Sequence, residues 1–161
     1  MKNERFSGQL LRDITIGMID GLTVTFALAS GFSAVASYLT RLVLLAGAIQ
    51  IVAGAIAMGL GGYFAVKNEV AENRPRKSGF FIGISYAIGG LISLASYFFT
   101  DDAITGLKYS AVITIVCLLI LGYFKSRFVG VKPFQGAVTT TLIGIIAAAC
   151  AYGIAKLIIG I

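Results

Sequence analysis

Ile16-Gly17-Met18-Ile19-Asp20-Gly21-Leu22-Thr23-Val24-Thr25-Phe26-Ala27-Leu28-Ala29-Ser30-Gly31 holds a single ionisable group in a stretch that is otherwise apolar, small or hydroxylated. Extended to about residues 14–36, it is long enough to cross a bilayer, which takes ~20 apolar residues. The pattern recurs at about 42–66, 79–100, 104–124 and 134–159. Hydrophobic residues make up 58% of the 161, charged residues 12%, and the mean hydropathy is +0.93. A soluble domain of this length has no way to cover so much apolar surface. The fold class expected is therefore an all-α integral membrane protein with five transmembrane helices. Residues 1–13 form a cytosolic or interfacial segment, and 14–161 form one five-helix domain.

Charge supplies the orientation. Lys2, Arg5 and Arg12 precede the first span, Lys67, Arg74, Arg76 and Lys77 lie between the second and third, and Lys125, Arg127 and Lys132 lie between the fourth and fifth. Only Arg41, Lys108 and Lys156, with Asp101 and Asp102, fall on the other side. The positive-inside rule then puts the N-terminus in and the C-terminus out. Short basic clusters between apolar runs are topology signals and not a nucleic-acid surface. The first thirteen residues lack the apolar core and cleavage site of a secretory signal. They are expected to stay, as an interfacial helix with Phe6, Leu10 and Leu11 toward lipid. With no organelle signal in view, a prokaryotic plasma membrane is the expected location.

No connection is long or low in complexity, so nothing divides the bundle. Five spans do not split into two equal repeats, and a symmetric pathway would need a second subunit. Gly17 with Gly21, Ala27 with Gly31 and Gly79 with Gly83 are small-xxx-small pairs that let helices approach closely, within one subunit or between two.

The chemistry available is narrow. There is no His, which removes imidazole as ligand, shuttle or base. Cys117 and Cys150 fall in different spans at different depths and read as small apolar side chains. No nucleotide loop and no Ser-His-Asp set is present, so neither an enzyme nor a cofactor is expected. Asp101-Asp102 reads as a solvated helix cap, with cation attraction at an outer mouth as the alternative.

Asp20 stands apart, because a carboxylate inside a span is costly unless it faces a partner, a cavity or an ion. Counting at ~1.5 Å per residue puts Asp20 ~9 Å and Met58 ~12 Å from the same side, at matching depth, with Gln50 two turns farther out. Carboxylate and thioether together suit a divalent transition metal better than Na⁺ or Mg²⁺. Each has an ordinary alternative: methionine fills apolar cores, and a buried glutamine commonly bonds across helices.

Asp20 to Gly31 resembles the first-span signature of the vacuolar iron transporter family, and Ala53-Gly54-Ala55-Ile56-Ala57-Met58-Gly59-Leu60-Gly61-Gly62-Tyr63 resembles its second-span signature. Leu119 to Lys125 and Ala147 to Tyr152 agree with it, and the resemblance covers about residues 10–160. It implies a homodimer in which the first two helices line a pathway at the two-fold axis, carrying Fe²⁺ and Mn²⁺ out of the cytosol in exchange for protons. Asp20 and Met58 match the family's pathway aspartate and methionine. Gln50 and Gly62 stand where the family usually has glutamate, and Ser93 and Ser96 where it has prolines. Span three should then be straighter. The connection of residues 67–78 is too short for the family's cytosolic metal-binding domain. Its Glu69 and Glu72 are either cation-gathering groups or a solvated helix end. The expected partners are lipid, divalent metal ions and a second copy. The alternative is a relative with altered specificity, or one that does not transport and has a structural or regulatory role in the membrane.

Overall fold

The computed structural model describes residues 2–35, 39–67 and 74–160, with side chains described from Gly8 onward except that of Arg74. Five helices follow one another: α1 (Lys2–Val35), α2 (Thr40–Lys67), α3 (Arg74–Leu94), α4 (Ala103–Val129) and α5 (Pro133–Ile159), with a 3-10 turn at Ala95–Phe98 between α3 and α4. All five are long and apolar enough to cross a membrane. Among the described residues there is no strand.

Local chemistry sets the ends. The Asp102 carboxylate accepts from the Thr105 backbone N–H at 2.7 Å and caps α4. Gly130, at φ 79°, ends that helix in the left-handed conformation that suits glycine. Pro133 opens α5 from the first-turn position where a missing N–H costs nothing. α1 is continuous from Lys2, at 34 residues. That is ~50 Å of helix against a hydrocarbon core of ~30 Å, so its basic start extends past the lipid.

α1 is the hub and touches the other four helices; α2 packs chiefly on α3, and α4 on α5. Glycine makes the closest approaches possible. A Cβ on Gly17 or Gly21 would strike the α3 backbone at Ile82 or Tyr86, and one on Gly79 or Gly83 would strike the α2 backbone at Gly59 or Ala55. Gly31 lies against Ala151 of α5. The small-residue pairs are thus engaged within one chain.

Burial follows the logic of lipid, where apolar side chains need no shelter. Leu45, Ile49, Val52, Ile56, Leu60 and Phe64 of α2 all point outward, each more than half exposed. The interior is joined by hydroxyls. Ser93 Oγ donates to Leu22 O at 3.0 Å and lies 2.9 Å from Thr114 Oγ1. Ser110 donates to Ser93 O, Ser33 meets Tyr97 Oη at 3.0 Å, and Ser96 donates to Gly106 O. Span three closes in the 3-10 turn Ala95–Phe98, and Ser93 and Ser96 tie this end of it to α1 and α4.

Candidate functional site in the membrane-spanning helices

Glycine contacts fix the relative heights of the helices. Gly89 of α3 sits between Met18 and Leu22 of α1, so Asp20 lies near the level of Gly89. Gly83 sits between Ala55 and Gly59 of α2, which puts Met58 near Gly83. About six residues of α3 separate the two levels, or ~9 Å along the bundle. Asp20 and Met58 are therefore offset, with Met58 nearer the end where α1 begins; the equal heights expected from the sequence are corrected to this extent. Side chains on helices lean toward their own N-termini, and α1 and α2 run in opposite directions. The Asp20 and Met58 side chains accordingly lean toward each other and close part of the gap.

Gln50 is the residue nearly level with Asp20, since Ile51 packs at Gly90. Its amide is engaged at both ends. Thr25 Oγ1 of α1 donates to Gln50 Oε1 at 2.9 Å, and Gln50 Nε2 donates to Tyr86 Oη of α3. The Tyr86 ring lies over Gly54, where a Cβ would collide with it. Thr25, Gln50 and Tyr86 thus form a polar layer across three helices, and Asp20 lies near its level with no hydrogen bond to it. The sequence reading singled out neither Thr25 nor Tyr86. A tyrosine in mid-span, with its hydroxyl in need of a partner, was the available signal.

Asp20 occupies the face of α1 that also carries Ile16, Val24 and Val35, each more than a third exposed. Among the described residues it forms no hydrogen bond and no ion pair. Seven residues earlier on nearly the same face is Asp13, only 5% exposed. Its Oδ1 is 3.5 Å from Arg12 and makes no hydrogen bond. The carboxylate stripe Asp13–Asp20 was legible as an i, i+7 pair and was missed.

α2 offers two kinds of outward surface. Beside its bulky apolar face run Ala57, Met58 and Gly61, and a Cβ on Gly61 would meet nothing within 4 Å. No cluster of three or more His, Cys, Asp or Glu occurs among the described residues. Cys117 and Cys150 are free thiols on α4 and α5. Glu69 and Glu72 lie outside the described residues. At the far end, Asp102 is a fully exposed cap, its carboxyl held below the usual range first by the Thr105 side-chain hydrogen bond.

Comparison with known proteins adds the family. The profile of the VIT family matches residues 11–71 and 68–156, dividing at the α2–α3 connection. Vacuolar iron transporter 1 of Oryza sativa subsp. japonica is 35% identical over 217 aligned positions, covering 93% of this chain and 86% of that protein. Vacuolar iron transporter 1 of Arabidopsis thaliana is 33% identical, covering 94% and 87%. Protein CCC1 of Saccharomyces cerevisiae is 28% identical, covering 74% and 58%. These alignments are longer than the chain itself, so the relatives carry residues that it lacks. They also correct the expected location. The relatives are eukaryotic proteins, most of them named for the vacuole, and a prokaryotic plasma membrane finds no support in them; the integral membrane character stands. With both signature helices packed as neighbours of α3 and the match running through all five helices, this chain belongs to the VIT family.

Proposed function

We propose that the protein carries a divalent transition metal, Fe²⁺ or Mn²⁺, across its membrane through a pathway lined by α1 and α2 at the seam of a homodimer, in exchange for protons. One observation carries this reading: the Asp20 carboxylate, inside a span, is only partly buried in the single chain and has neither a hydrogen bond nor an ion pair among the described residues. Left against lipid, such a group costs ~2.5–3.5 kcal/mol or more, and a cation at a subunit seam removes that cost. A second copy would double the ligands, giving two carboxylates and two thioether sulfurs around one axis. The small stripe of α2 supports this, because backbones that approach closely leave room for an ion between them.

The chemistry follows from the groups. A carboxylate in a poorly hydrated site holds either a proton or a cation, so loading one releases the other. Asp13, two turns nearer the basic end on the same stripe, is the carboxylate that an ion arriving from that end would meet first. The positive-inside rule makes that end cytosolic, N-terminus in and C-terminus out. Met58, between the levels of these two groups, adds a soft donor that favours Fe²⁺ over Mg²⁺. The metal is cargo here, and neither a resident cofactor nor an enzymatic step is invoked.

Gln50 favours a modified form of this reading. Its amide is held by Thr25 and Tyr86, and so it braces α1 against α2 and α3 and brings no charge to the ion. The pathway then has fewer titratable groups than the family pattern, with lower affinity and fewer protons exchanged per metal.

The test is transport by purified protein in liposomes loaded with a metal-quenched dye and, separately, a pH dye. The proposal expects Fe²⁺ and Mn²⁺ fluxes well above those of empty vesicles, with a proton counterflux. Fluxes equal to empty vesicles would favour the non-transporting reading.

A further inference from the structure

At the end of the bundle where α4 stops and α5 starts, away from the Asp20 layer, lies a cleft of about 330 Å³. Lys125 and Ser126 of α4, Lys132 at the connection, and Gln135, Gly136, Thr139, Thr140 and Ile143 of α5 line it. We infer that this cleft binds the phosphate of an anionic membrane lipid, with the headgroup at the two lysines and the acyl chain leaving along Ile143.

Three independent features point to a phosphate. The first is charge: Lys125 and Lys132 face one cleft from two elements, and no Asp or Glu lies between residues 103 and 161 to neutralise them. The second is backbone. α5 is 27 residues long, and its cap residue, Lys132, makes no side-chain cap bond. Pro133 has no N–H and the first helical bond is Gly136 N–H to Lys132 O. The N–H groups of Phe134 and Gln135 therefore have no helical acceptor, at the positive end of the helix dipole.

The third is the hydroxyl of a serine at the cleft that has no hydrogen-bond partner among the described residues. Ser126 is 5% exposed, lines the cleft and makes no side-chain hydrogen bond among the described residues. A serine inside a helix ordinarily turns back on its own carbonyls, as Thr15 does to Leu11 O at 2.7 Å and Ser85 to Phe81 O at 2.6 Å. Ser126 does not. Its Oγ points at the first turn of α5, into the place that a Cβ on Gly136 would fill. A phosphate oxygen in the cleft beside it would accept from Ser126, from the free N–H groups and from both lysines. The lining also changes along α5: Lys132 stands at its start, the hydroxyls of Thr139 and Thr140 follow, and Ile143, 58% exposed, lies farthest into the span. It sits at the end of two helices long and apolar enough to cross a membrane, where a bilayer's headgroups would lie, which favours a lipid over a soluble phosphate.

Arg127 gives an internal control. It is exposed, it is on the same end of α4, and it does not line the cleft. The experiment is native mass spectrometry of the full chain released from detergent containing equal amounts of phosphatidic acid and phosphatidylcholine, with inorganic phosphate as competitor in a separate arm. The native protein should retain phosphatidic acid preferentially. The Lys125→Gln/Lys132→Gln variant should bind it about thirty-fold more weakly, which is about 2 kcal/mol for two cations at an anionic surface. Ser126→Ala, which leaves the charge unchanged, should lose several-fold, and Arg127→Gln should match the native protein. An equal loss in Arg127→Gln would reduce the effect to net charge and overturn the site. So would no loss in Ser126→Ala together with the double variant, or displacement by inorganic phosphate at concentrations comparable to the lipid.

Discussion

Asp20→Asn separates a functional carboxylate from a structural one. The Asp20 side chain makes no hydrogen bond or ion pair among the described residues, so the amide removes no contact on which the fold depends. A carboxylate at this depth carries a penalty of ~2.5–3.5 kcal/mol in lipid, and Asp20 is only partly buried, so the relief is smaller, about 1 kcal/mol. The variant should therefore unfold at the native temperature or a few degrees above it. Transport should behave in the opposite way. Replacing a charged ligand by a neutral one forfeits a charge-assisted contact worth ~1.5–3 kcal/mol, or ~10- to 100-fold in metal affinity. It also removes the titrating group, and proton counterflux should vanish with the metal flux. Thermal unfolding in detergent and dye-based flux in liposomes measure the two effects on one preparation. A variant destabilised by more than ~1 kcal/mol would make Asp20 a structural residue, and an unchanged flux would move the pathway elsewhere.

Four further outcomes follow from the same geometry. Gln50→Glu should raise Mn²⁺ affinity and the number of protons exchanged per metal, since a carboxylate can still accept from Thr25 and from a reoriented Tyr86 hydroxyl; isotherms and flux ratios identical to the native protein would contradict this. Gly21→Ala should cost ~1–3 kcal/mol in chemical unfolding, because its Cβ meets the Tyr86 carbonyl and forces α1 from α3. Gly61→Ala, which meets nothing within 4 Å in one chain, should leave monomer stability intact and lower the dimer fraction in crosslinking. Asp102 is an exposed cap with its carboxyl lowered by Thr105. Its contribution is present above the ordinary carboxylate pKa and is lost as pH falls through the lower folded value. Asp102→Asn should therefore flatten the acid limb of the stability profile.

Much of this was legible because lipid simplifies the problem. Five apolar runs, the basic connections and Asp102 ahead of Ala103 identify the helices and one cap without any knowledge of packing. Gly17, Gly21, Gly79 and Gly83 marked close approaches, although only the structure assigns them to contacts within one chain. Height was the point at which sequence counting failed. Asp20 and Met58 looked level when counted from estimated span ends, but α1 and α2 extend past those ends, and their register is set by α3 through Gly83 and Gly89. The partner of Tyr86 was hidden for a related reason. An aromatic in an apolar helix reads as packing until the register brings Gln50 to its hydroxyl. Within the 3-10 turn at Ala95–Phe98, Ser96 bonds the distant carbonyl of Gly106, a contact that no local pattern encodes.

The central claim is that Asp20 from two chains faces one ion. Anomalous diffraction from crystals of the assembled protein grown with Mn²⁺ or Co²⁺ tests it most directly. The account predicts a peak on the two-fold axis within coordination distance of both Asp20 carboxylates, on the side toward Met58. Crystals whose dimer turns Asp20 to lipid, or whose only metal peak lies away from the α1–α2 seam, would contradict it.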